Sequence, residues 1–289
     1  MTELSMQKRR SSRRREFWLR LCRNKAALIG MVILSVLIIT AVFAPIIAPY
    51  HYDEQNYQIT NQLPSLAHPL GTDNCGRDIL SRLIYGSRVS LQIGFIAVGI
   101  GAAVGGLLGA VAAFYGKAVD NIIMRCIDIV LAIPSTLLAI SISAALGPGL
   151  TNAMIAIGIG SAPNYARIVR ASVLTVKEQE FVEAARCVGA SDAYIILREI
   201  LPNALSPIIV QATLGVASAI LSAAALSFIG LGIQPPSPEW GAMLSAGRVY
   251  IRDFWPIVTF PGVAIMITIF ALNLFGDGLR DVLDPKLRR

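Results

Sequence analysis

The sequence predicts an all-α protein that crosses a membrane six times, and three observations carry this. Hydrophobic residues make up 55% of the 289 residues and charged residues only 15%, where soluble domains carry roughly 25% charged. So few polar positions cannot cover a water-facing surface, so lipid must solvate part of it. The apolar residues are also grouped into runs long enough to cross a hydrocarbon core of about 30 Å. Finally, the excess of cations (net charge +7) sits in short blocks beside those runs. That arrangement orients a chain in a bilayer and does not make a nucleic-acid patch.

Residues 1–25 form a basic tail, with nine cations from Lys8 to Lys25 against Glu3 and Glu16. The first span, 26–48, is longer than the roughly 7–15 residues of a signal-peptide core. Residues 49–88 are a polar loop punctuated by Pro49, Pro64, Pro69 and Gly71. In it, Asp73 is placed to cap a turn and Asp78 to start a helix. Ile79, Leu80, Leu83 and Ile84 share a stripe with Arg82 off it, which predicts a short helix lying at the interface. His51 and His68 are the only histidines, and Cys22, Cys75, Cys126 and Cys187 lie far apart. No metal-ligand spacing results, so no metal site is expected and the thiols read as unpaired.

The second span, Val89 to Tyr115, carries Gly101, Gly105 and Gly109 four residues apart, a pattern for close helix packing in lipid. Gly116-Lys117 fails as a phosphate loop, because Val111 stands at the first glycine position and Ala118 at the hydroxyl position. If ATP drives this protein, another chain binds it. The third span, about Asn121 to Ala145, has Arg125 and Asp128 spaced for a local ion pair and Pro134 to kink it. The fourth, about Asn152 to Val173, contains Pro163 and ends near Arg167 and Arg170. The fifth covers about Leu205 to Ile229 and the sixth about Pro256 to Phe275. Trp240 and Trp255 between them suit an interfacial aromatic belt. Residues 279–289 close the chain as a tail.

Between the fourth and fifth spans, 174–202 is too polar to cross the membrane. Thr175 with Glu178 fits a capping box. Phe181, Ala184, Ala185 and Val188 are expected on one face of a first short helix, with Gly189 ending it in a left-handed cap. Ser191-Asp192 can cap a second helix running to Leu201. Two readings of its apolar stripe stay open: docking in a groove on another protein, or packing against the chain's own helices. Six spans put both termini on one side. That side, which includes this loop, holds 20 of the 25 cations, and the positive-inside rule makes it cytoplasmic.

At this loop the sequence resembles a known family. Glu183-Ala-Ala-x-x-x-Gly189, followed by Leu201-Pro202, resembles the "EAA" signature of permease subunits of bacterial binding-protein-dependent ABC importers. The family pattern has an apolar residue two before the Leu-Pro pair; here Glu199 stands there and Ile200 follows it. His68-Pro-Leu-Gly-Thr-Asp-x-x-Gly-Arg-Asp78, Met124-Arg-x-x-Asp128, Leu226-Ser-Phe-x-Gly-Leu-Gly232, Pro238-Glu-Trp-Gly241 and Gly276-Asp-Gly-Leu-Arg-Asp-x-Leu-Asp-Pro285 narrow the resemblance to the second, C-type permease of the dipeptide, oligopeptide and nickel branch.

The resemblance implies the type I importer permease fold, with 89–278 as the permease domain, in the bacterial inner membrane. It implies a homologous second permease, two cytoplasmic P-loop ATPases that hold the ATP and magnesium, and an extracytoplasmic solute-binding protein. The chain itself would bind no cofactor and catalyse nothing. Glu183, Ala184, Ala185, Gly189, Ile200, Leu201 and Pro202 would couple it to an ATPase. Peptides are the expected solute, with nickel or metallophore, glutathione and opine as alternatives within the branch. An ion-gradient-driven carrier is a more distant alternative. It needs intramembrane carboxylates, and of those the predicted spans hold only Asp128.

Overall fold

The computed structural model describes residues 18–283, and its regular structure is helical. Helix α1 spans Lys25–Val42, opened by Asn24, whose side chain accepts from the Ala26 and Ala27 amides. Its outer face is apolar and exposed, as at Ile29, Val32 and Val36, which lipid tolerates and water does not.

Helix α2, Ile79–Tyr115, runs 37 residues without a break, about 55 Å at 1.5 Å per residue. That exceeds the hydrocarbon core, so part of α2 stands outside it. The short interfacial helix expected at 79–85 is therefore the start of α2, and the expected boundary at 88/89 falls inside it. Arg82, which lies off the apolar stripe, is 5% exposed all the same. Its guanidinium donates to the carbonyls of Tyr52 and Pro236 at 3.0 and 3.4 Å. Gly86 does not stop the helix, because its bare face admits the Pro238 carbonyl; a Cβ there would sit 2.2 Å from that oxygen. Asp78 caps α2 by accepting the Ser81 amide at 2.7 Å, and Asp73 accepts the Cys75 and Arg77 amides. Both carboxylates cap as their spacing predicts.

Helices α3 (Lys117–Leu131) and α4 (Ser135–Leu146) meet at 85°. The single kinked third span is thus two pieces. Pro134 supplies no N–H to carry the α-helix through the break and, as the residue before α4, sits at its start. Nor do Arg125 and Asp128 pair locally as expected. Asp128 takes Arg167 at 2.6 Å instead, across from α5, Leu150–Lys177.

Helix α5 continues through Pro163. Its Lys177 amine donates to the Ala113 and Phe114 carbonyls at 3.0 and 2.6 Å, satisfying the open end of α2. Thr175 lies inside α5 and donates to the Ala171 carbonyl, so the expected capping box is absent. Among the described residues, four helices are long and apolar enough to cross a membrane, and five if the bent pair counts as one span. Helix α5, expected as a span, has the length at 28 residues but not the hydropathy. Its polar residues, Asn152, Ser161 and Asn164 among them, are tolerated because α5 packs along α2, α4 and α7 instead of facing lipid alone.

Beyond α5 come α6, Glu180–Cys187, and then α7, Leu205–Phe228. Helix α8, Trp240–Gly247, lies against α9, Pro256–Leu283. Trp240 is 1% exposed and donates to the Leu83 carbonyl at 3.1 Å, so it is a packed anchor and not part of an aromatic belt. Trp255 is 51% exposed, in keeping with one. Helices α2 and α5 pack backbone against backbone along much of their length. A Cβ at Gly101, Gly105 or Gly109 would lie 2.0–2.3 Å from Ser161 Oγ or from the Ala162 and Ala166 carbonyls. The glycine spacing therefore sets the approach of these two backbones. One core cluster joins Ala97, Ile157, Tyr165, Ile220 and Leu272 from α2, α5, α7 and α9.

Candidate coupling site and membrane cavities

Helix α6 is amphipathic over eight residues, and its orientation follows from one buried side chain. Val182 is fully covered and joins Ala113, Phe114, Val169, Val173, Ile195 and Ile200. Phe181 and Ala185 flank it, half-buried. The inward stripe is therefore Phe181, Val182 and Ala185. The expected stripe placed Ala184 and Val188 on that side, but both are exposed, Val188 at 83%. The Arg186 guanidinium lies 5.3 Å from the Phe114 ring centroid, a cation–π contact that fastens α6 to the end of α2.

Gly189 adopts φ +78° in the expected left-handed cap. The Ala190 amide reaches back to the Ala185 carbonyl at 3.1 Å and the Gly189 amide to Arg186 at 3.0 Å, the hydrogen-bond pattern of a Schellman motif. Ser191 then caps the turn Asp192–Tyr194. The chain widens into a π-helix over Ile195–Ile200, where the Leu201 amide bonds the Ile196 carbonyl five residues back. The extra residue per turn shifts the register, so that Ile195, Ile196 and Ile200 all point inward.

The predicted coupling residues thus divide. Glu183, Ala184, Gly189 and Pro202 are exposed, Ala185 and Leu201 are half-buried, and Ile200 is fully buried. Ile200 anchors the segment and offers nothing to a partner. Of the two readings left open by the sequence, packing against the chain's own helices holds for the inner side, and the outer side is left exposed. Sequence reasoning missed Val182 and the Arg186–Phe114 contact. The apolar residue at 182 was the only local signal, and Phe114 is 72 positions upstream.

Two cavities lie behind this segment. The larger, about 810 Å³, opens between α5, α7 and α9 and is lined by Ser172, Thr175, Gln179, Asn203, Gln211 and Arg280, among others. The smaller, about 200 Å³, lies deeper between α2, α4, α5 and α7, beside Ser135, Asn164, Tyr165, Gln211, Ser218 and Ser222. Gln211 lines both. The sequence held a signal for this in the amides Asn164 and Gln211 inside predicted spans, though not for which helices they face.

On the far side of α8, Glu239 is 1% exposed and caps that helix, accepting the Gly241 and Ala242 amides at 2.8 and 2.7 Å. Burial pushes its carboxyl above the usual range, against these hydrogen bonds and one from Ser227.

Residues 105–289 match the family described as binding-protein-dependent transport system inner membrane component, and residues 12–65 match the N-terminal TM domain of oligopeptide transport permease C. The chain is 49% identical to the dipeptide transport system permease DppC of Alkalihalophilus pseudofirmus, over 95% of this chain and 90% of that protein. It is 48% identical to the di/tripeptide transport system permease DppC of Pseudomonas aeruginosa, over 95% and 92%. To the glutathione transport system permease GsiD of Escherichia coli it is 47% identical, over 94% and 90%. Its fold is similar to that of a chain of the inward-facing MetNI methionine ABC transporter, at a TM-score of 0.57 and 19% identity, covering 71% of this chain and 98% of that one. A multi-pass chain without enzymatic function of its own, with its Glu183-Ala-Ala segment on a surface anchored by Val182, it belongs to the inner-membrane permease components of binding-protein-dependent ABC importers, in the branch of the C-type oligopeptide permeases.

Proposed function

We propose that this chain forms half of the translocation pathway of an ATP-driven peptide importer, paired with a homologous second permease. The observation that carries the reading is the two-sided coupling segment. Val182, Ile195 and Ile200 fix it to the ends of α2 and α5, while Glu183, Ala184, Val188 and Gly189 stay outside. A force on the outer side therefore reaches the helices that line the two cavities. Two cytoplasmic ATPases bind ATP and magnesium and carry the hydrolysis, and one of them grips this surface. Closure of the ATPase pair moves α6, and α2 and α5 follow as a packed unit, the kind of two-state element a nucleotide biases.

Both termini and the α6 segment lie in the cytoplasm, as the 20-of-25 cation asymmetry supports. An extracytoplasmic binding protein delivers the solute. The dipeptide, di/tripeptide and glutathione permeases that resemble this chain support short peptides, glutathione being itself a tripeptide. The test is reconstitution of the full complex in proteoliposomes with labelled dialanine. Glu183→Lys should leave the purified complex folded but lower both dialanine uptake and binding-protein-stimulated ATP hydrolysis by about tenfold or more, since a docking loss of 1.4 kcal/mol is a factor of ten. Unchanged uptake and hydrolysis in that variant would remove the coupling role from this surface.

A further inference from the structure

We infer that the solute's route through this subunit is the groove between α5 and α7, with Gln211 as its neck, and that the groove is built to pass uncharged amide groups rather than cations. The inference rests on the importer reading for its direction but on geometry for its course. The two cavities share Gln211. Along α7, Gln211, Gly215, Ser218 and Ser222 fall on one stripe at three- and four-residue spacing, so one helix face runs from the deep cavity into the larger one. The larger cavity is within the roughly 300–1,000 Å³ range of small-molecule sites.

The chemistry of the lining is selective. The side-chain amides of Asn164 and Gln211 have no protein hydrogen-bond partner among the described residues, whereas the Ser218 and Ser222 hydroxyls donate back to their own helix. Asn164 is exposed and Gln211 half-buried, so both amides are open to a polar solute, and an amide within a membrane span needs something wet or polar to meet it. Each amide side chain offers both donors and an acceptor, the complement of a peptide bond. Among the described residues, no carboxylate, imidazole or thiol lines either cavity, and the only charge is Arg280 in the larger one. A bare divalent cation finds neither ligands nor countercharge there, while a peptide finds partners for its backbone and, at Arg280, for its carboxylate. Tyr165 makes a fixed wall beside the neck. Its hydroxyl donates to the Gln211 carbonyl at 3.4 Å, and Gly215 leaves it room, since a Cβ there would stand 2.3 Å from that oxygen.

The test uses the reconstituted transporter with its four native cysteines replaced by serine. Ser218→Cys is compared with Val36→Cys on α1, both positions being exposed in the structure. A charged methanethiosulfonate reagent reacts only with a thiol that meets water. Position 218 should label about tenfold faster than position 36 in at least one of the nucleotide-free and ATP-bound states. Dialanine with its binding protein should slow that labelling, and nickel(II) should not. Equal, slow labelling at both positions in both states overturns the route, whether or not dialanine is taken up. Protection by nickel(II) and not by dialanine overturns the amide chemistry. Failure of uptake in the parent complex would count against the importer reading alone, because the comparison of positions 218 and 36 needs no transport.

Discussion

Glu239 is an acid held where an acid is disfavoured. Burial raises its carboxyl pKa above the unfolded value, so folding favours the protonated form. Its contribution to stability is thus fully present below the ordinary carboxylate pKa of about 4.3 and is lost as pH rises through the folded value. In detergent, the melting temperature of the parent should fall relative to Glu239→Gln as pH is raised from about 4 towards 8; parallel melting curves would show that the side chain keeps an ordinary pKa. Gly189 is constrained differently. No neighbouring atom lies within 4 Å of a Cβ built there, so the glycine is required by its backbone angle and not by crowding inside this chain. Gly189→Ala should cost about 1–2 kcal/mol, read as a lowered unfolding midpoint, while Gly189→Asn should cost less because asparagine tolerates the left-handed region. Equal losses in both would mean that a partner's surface requires the glycine.

At the scale of elements, α2 and α5 are set by which glycines face which backbone. Gly105→Val forces a side chain into the Ala162 carbonyl 2.0 Å away and should destabilise by about 1–3 kcal/mol or more, as overpacking does. Gly99, one span in common with it, has open space; Gly99→Ala should be neutral or slightly stabilising by helix propensity. Thermal unfolding of the two variants in the same detergent checks the contrast, and similar losses would show that the α2–α5 contact is looser than it is here. The glycine stripe was legible in the sequence because its period is local. The break between α3 and α4 was only half-legible. Pro134 announces a disturbance, but a kink and an 85° turn read alike from one residue. The short helix at 79–85 was read as separate from the span after it because the charge of Arg82 looks out of place in a packed helix until Asp73, Tyr52 and Pro236 are brought around it.

For the whole molecule, composition, apolar runs and cation asymmetry determined the class, a polytopic helical membrane protein, because these are bulk properties of how a chain meets lipid and water. The EAA segment and its glycine cap were also legible, since capping and amphipathicity act within a few residues. Which side of that segment faces inward was decided by Phe114, Val169 and Val173 receiving Val182, contacts between residues that lie up to 68 positions apart in the chain. Trp240 went to the core and not to the interface for the same kind of reason: Gly86 left a place for its ring and Leu83 a carbonyl for its indole N–H. The cavities joined at Gln211 exist only once α5 and α7 pack. A sequence fixes what each side chain can do within its own helix; which neighbour meets it depends on loop closure between distant segments, and only the tertiary structure settles that.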